Sequence, residues 1–115
     1  MKIIQCLACD CSTTEFAIIG LNSHGSPQGK FEELSNKIIL PEDEQEDTSH
    51  GCYITNRKDL SAYGDNESIY YIGININDND NLYLLKDEFI SICKELGIGI
   101  DRKDVGFYFG TVGSD

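Results

Sequence analysis

The chain has 115 residues, 40% of them hydrophobic and 10% aromatic, with 20 Asp and Glu against 9 Lys and Arg for a formal net charge of −11. That length predicts a single domain, 1–115, able to bury a core without disulfide or metal staples. The charge argues against direct contact with nucleic acid or with an anionic membrane face, and no run of about 18 apolar residues exists to cross a bilayer.

The start, Met1-Lys2-Ile3-Ile4-Gln5, carries one charge and too short an apolar run for a secretory leader, which predicts a cytoplasmic protein. In that compartment the five cysteines are expected as thiols, and their odd number agrees.

Residues 2–9, KIIQCLAC, read as a first strand covered on both faces, because apolar residues run almost without interruption. After a polar turn, 15–21, EFAIIGL, reads as a second strand pairing antiparallel with the first. The stretch 22–29, NSHGSPQG, is a loop by composition. Residues 30–40 admit two readings: Phe31, Leu34 and Ile38 have helical spacing, while Ile38–Leu40 before Pro41 suits a strand cut off by proline. An acidic loop follows at 41–51, then a short strand at 52–55, CYIT, and a polar connection at 56–68.

The second half is more regular. Residues 69–76, IYYIGINI, predict a strand. NDNDN, 77–81, is a turn that offers Asp80 or Asn81 as a helix N-cap. Residues 82–96 predict the main helix, with Leu82, Leu85, Phe89, Ile92, Cys93 and Leu96 on one face and Gly97 as the residue that stops it. Residues 105–112, VGFYFGTV, predict the last strand, with Val105, Phe107 and Phe109 facing one way and Gly106, Tyr108 and Gly110 the other. The expected fold class is α+β: one mixed or antiparallel sheet of about five strands with one main helix, 82–96, packed on a face.

Chemistry-bearing residues are few. Structural zinc takes four ligands in short-spaced pairs. Cys6 and Cys9 form one CxxC pair, and a second pair would come from Cys11, His50 and Cys52. The CxxC lies in a run that reads as strand, where side chains three apart point to opposite faces, so small buried hydrophobes explain these cysteines better and no metal is expected. A redox CxxC needs its first cysteine at a helix N-terminus, and DCSTTEFAII after Cys9 favours turn and strand instead. His24 and His50 are loop residues without a nucleophile signature. From Asp78, the EF-hand pattern fails at Leu82. GxGxxG, P-loop and GxSxG motifs are missing, so no cofactor is expected.

The segment 84–110, LLKDEFISICKELGIGIDRKDVGFYFG, resembles the helix-loop-strand end of tautomerase-superfamily subunits. That resemblance implies an enzyme working from an N-terminal proline, and residue 2 here is Lys2. A small enzyme using another residue, or a zinc-binding module, stays as an alternative expectation.

The acids are unevenly spread. Residues 41–67 hold Glu42, Asp43, Glu44, Glu46, Asp47, Asp59, Asp65 and Glu67 against only Arg57 and Lys58. Such a block steers a basic partner toward itself, and Tyr53 and Tyr63, with Tyr70 and Tyr71 nearby, are residues favoured as buried anchors beside it. A small acidic α+β chain without a catalytic motif is similar in type to bacterial immunity proteins, including those of contact-dependent inhibition systems. The resemblance is one of size, charge and fold, and carries no residue across. It implies an inhibitor that neutralises a basic toxin, a nuclease in the leading case, by covering its cationic substrate surface. A phage-encoded inhibitor of a nucleic-acid-binding defence enzyme has the same profile.

Overall fold

The computed structural model describes residues 13–25, 29–41, 52–57, 59–64 and 69–113. Its centre is a ten-residue strand, β1 (Thr13–Asn22), whose apolar residues are buried on both sides. The helix α1 (Lys30–Ile38) follows, then β2 (Cys52–Tyr53), β3 (Ser61–Gly64), β4 (Tyr70–Asn75), α2 (Leu82–Glu95) and β5 (Gly106–Gly113). The strands form one antiparallel sheet in the order β2-β3-β4-β1-β5. The α+β class expected from the pattern is the one observed, with α1 as a second helix.

β1 is flanked by β4, which pairs along Ile18–Asn22, and by β5, which pairs along Thr13–Gly20. The first expected strand, 2–9, lies outside the described residues. β4 and β5 both run antiparallel to β1 and therefore parallel to each other, so α2 is the crossover of a split β-α-β unit. At Gly20↔Gly73 the strands β1 and β4 come so close that a Cβ on Gly20 would collide with the Ile72 carbonyl oxygen, and one on Gly73 with that of Ile19. Glycine at both positions permits this approach.

The main core lies between the sheet and the helices. Ile19 and Leu21 of β1, Ile72 and Ile74 of β4, and Ala62 of β3 meet Phe31, Leu34 and Ile38 of α1 and Leu85, Phe89, Ile92 and Cys93 of α2. Each large apolar side chain buried there contributes roughly 1.5–3 kcal/mol relative to exposure. The helices take their positions from the spacing read in the sequence. α2 begins where the Asn81 side chain accepts from the Tyr83 and Leu84 amides, and ends before Gly97, whose φ of 82° suits only a residue without a Cβ. Both readings of 30–40 are partly realised: the helix runs to Ile38, and Ile39 then bridges to Thr55 as extended chain.

A second, smaller cluster occupies the opposite face. Phe16, Ile18 and Tyr63 are buried there with Tyr71 and Tyr108 packed against them. The Phe16 and Tyr63 rings stack at 4.7 Å, and Tyr71 lies 5.1 Å from Phe16 and 5.6 Å from Tyr108. The Tyr63 hydroxyl donates to Asn75 Oδ1 at 2.8 Å, and Asn75 Nδ2 donates to Ser61 Oγ at 2.8 Å, so the polar ends of this layer are satisfied.

Two expectations change. The polar connection predicted at 56–68 contains β3, which exists because it pairs with β4 at Ser61↔Gly73 through Gly64↔Tyr70. Val105, Phe107 and Phe109 do share one side of the last strand, but only Val105 is buried, while Phe107 and Phe109 are 50% and 73% exposed. The cause is position: among the described strands β5 lies at the edge of the sheet, and α2 packs over β1 and β4.

Candidate partner-binding surface

At the β2–β3–β4 end, α1 does not seal onto the sheet. An open pocket of about 440 Å³ lies between them. Ala62 and Ile72 form its floor, and Phe31, Ser35 and Ile39 border it from the α1 side. Tyr53 of β2 and Tyr70 of β4 also line it, with ring centroids 6.0 Å apart at 62°. The register explains why the tyrosines meet: Tyr53 pairs with Ala62 and Tyr70 with Gly64, so both project on the helix side of the sheet. Tyr70 also lies over Gly64, which has no side chain to push it away. Tyr70 is 40% exposed.

The Tyr53 phenol has its pKa raised, first by burial and then by the neighbouring Tyr70. It is a neutral donor at physiological pH. Among the described residues the lining is otherwise apolar apart from Ser35, with no charged side chain.

The chain connections around this pocket matter for charge. Leu40 donates to the Ile54 carbonyl at 3.1 Å, so the chain passes beside β2 as it leaves toward 42–51, and it returns at Cys52. β3 ends at Gly64 and β4 begins at Tyr70, so 65–68 joins them at the same end of the sheet. These two connections carry Glu42, Asp43, Glu44, Glu46, Asp47, Asp65 and Glu67 and no Lys or Arg. Those seven residues lie outside the described residues, while the points where their segments leave and rejoin the fold lie within them.

The other expected site residues fall differently. Tyr53 is half-buried and lines the pocket. Tyr63 borders the same pocket but is only 5% exposed, its ring stacked on Phe16 in the opposite face, so it supports the surface rather than offering one. Asp59 precedes β3 and Asp65 follows it, so the strand separates them. The Asp59 carboxylate is held in a two-pronged contact by Arg57, at 3.0 and 2.9 Å, which lowers its pKa against an opposing effect of burial. Arg57 also reaches Glu95 at 3.5 Å. Much of the Asp59 charge is therefore answered locally, and it adds less to an acidic field than its sequence position suggests. Tyr70, read in the sequence as lying near the acidic block, lines the pocket, and Phe31 and Ser35 of α1 line it without having been read as site residues.

Cys6, Cys9, Cys11 and His50 lie outside the described residues, as does the side chain of Cys52. Among the described residues no group of three or more His, Cys, Asp or Glu side chains is placed to hold a metal ion. Cys93 is fully buried, and desolvation pushes its thiol up to about 12, the reverse of what a nucleophile needs. His24 is an exposed turn residue whose amide donates to Asn22 Oδ1 at 3.2 Å. No helix among the described residues is long and apolar enough to cross a membrane. Compared with known proteins, the chain matches no family model, no curated protein and no solved structure.

Proposed function

We propose that the chain is an acidic inhibitor of immunity-protein type, which binds a basic protein, a nuclease toxin in the leading case, and covers the cationic surface that its target uses for substrate. One observation carries the reading. Two acidic connections, 42–51 and 65–68, leave and rejoin the fold at the end of the sheet that holds the tyrosine-lined pocket. Charge and anchor then act together. The carboxylates steer the encounter, which takes association toward ~10⁸ M⁻¹s⁻¹ at low salt, and the desolvated tyrosines provide residence time.

The mechanism is occlusion. A nuclease surface built to bind phosphates presents Lys and Arg, and an acidic protein laid on it denies access without any chemistry of its own. The test begins with the immobilised chain and a lysate of its native host, with captured proteins identified by mass spectrometry and then produced pure. A basic protein whose nuclease activity or toxicity falls on addition of the chain supports the reading. A chain with four of the 42–47 carboxylates reversed to Lys should then associate more slowly, with a flatter salt dependence. An acidic or inactive captured protein, or unchanged association kinetics in the reversed chain, overturns it. Capture of a defence enzyme in place of a toxin would assign the chain to the phage-inhibitor class.

A further inference from the structure

We infer that the pocket between α1 and the sheet receives an arginine side chain of the basic partner, seated against the Tyr53 and Tyr70 rings. The inference rests on the inhibitor reading for the owner of the arginine, and on the geometry below for the chemistry.

The pocket's volume, about 440 Å³, lies within the ~300–1,000 Å³ of sites that take compact ligands. Its walls are aromatic, and its floor, Ala62 and Ile72, is aliphatic. That combination suits a side chain with an apolar stem and a flat cationic head. The stem covers the floor, and the guanidinium meets ring faces, a contact that strengthens as it is desolvated. A phenol edge and the Ser35 hydroxyl provide acceptors for its fork of N–H groups. Lysine fits less well, because its compact ammonium is strongly hydrated and gives up more on entering an apolar slot.

Charge selects a cation over an apolar anchor. Among the described residues, no lysine or arginine borders the pocket. The two connections that begin and end beside it contribute seven carboxylates in sequence, unbalanced by any base. An anion would be repelled there. A leucine or phenylalanine would gain the floor and nothing from the surrounding charge.

The probes are two blocked pentapeptides, Gly-Gly-Arg-Gly-Gly and Gly-Gly-Leu-Gly-Gly, titrated into the full ¹⁵N-labelled chain at low salt. The expected result is saturable shifts of the Ser35, Tyr53 and Tyr70 amides with the arginine peptide, weakening as salt rises. Affinity for it should exceed that for the leucine peptide by at least fivefold. Tyr70→Phe keeps the ring and should bind within about twofold of the native chain, whereas Tyr70→Ala should lose at least threefold, with unchanged circular dichroism confirming that it folds. The inference is overturned if shifts fall elsewhere, if the leucine peptide binds as well, or if Tyr70→Ala binds arginine as tightly as the native chain. Failure of the peptide, with charge-dependent capture of a basic protein intact, removes the pocket assignment alone. Arginine binding without such capture removes the inhibitor reading and leaves the pocket as a guanidinium site.

Discussion

Replacing Asn81 with alanine tests the account of how α2 starts. Its side-chain Oδ1 accepts from Tyr83 N at 2.9 Å and Leu84 N at 3.2 Å, two donors that have no partner within the helix. Alanine at an N-cap costs about 1 kcal/mol, with a range of roughly 0.5–2. In a chain of this length that corresponds to a melting temperature lowered by about 4 °C. Asn81→Asp separates the cap from other effects. It keeps the acceptor and places a negative charge at a helix N-terminus whose first turn holds no acidic residue, a gain of roughly 0.3–1 kcal/mol. Repulsion from Asp78 and Asp80 offsets part of that, so Asn81→Asp should stay within about 0.5 kcal/mol of the native chain. Urea unfolding followed by far-ultraviolet circular dichroism gives both values, and the slopes should be equal. Hydrogen exchange at the Tyr83 and Leu84 amides should accelerate in the alanine variant and not in the aspartate variant. An aspartate variant as unstable as the alanine one, or an alanine variant indistinguishable from native, would refute the capping argument.

The other predictions concern the core. Phe89→Ala, at a fully buried position between α2 and the sheet, should cost about 3–5 kcal/mol in the same unfolding experiment, with Phe89→Leu costing much less. In the folded chain Cys93 should resist alkylation at pH 8 while reacting at once in urea. Because its folded pKa is raised from 9.0 to about 12, stability is unaffected below about pH 9 and should fall as pH rises from 9 toward 12, where only the unfolded chain ionises. A Cys93→Ala variant should show a shallower loss over that window.

Several elements are legible in the sequence because their signals are local. Leu85, Phe89, Ile92 and Cys93 repeat at helical intervals, the cap sits one residue before the helix, and Gly97 sits two residues after it. β4 announces itself by a run of Ile and Tyr. β3 does not, since Ser-Ala-Tyr-Gly has no alternation to detect. Ala62 faces the helices, Tyr63 faces Phe16, and Gly64 is covered by the Tyr70 ring, so its strand character is conferred by β4. The site divides in the same way. The uneven distribution of acids is visible along the chain, but the pocket needs α1 from one segment, Tyr53 from a second and Tyr70 from a third. Tyr63 illustrates the limit of a composition argument, because its neighbours in sequence gave no sign that its ring would be spent on the second aromatic layer.

The central place of β1 has a kinetic consequence. The strand precedes both of its hydrogen-bonded neighbours, Tyr70–Asn75 and Gly106–Gly113, in the chain. On a ribosome its second edge stays uncovered until Gly106–Gly113 has been made. Such long loop closures slow the search, which puts refolding in the millisecond-to-second range rather than the microseconds of helical bundles. A chain halted before Gly106 would expose the Thr13–Gly20 edge of its own central strand, a template for pairing with other incomplete copies. Rapid completion of β5 should therefore limit such pairing between newly made copies.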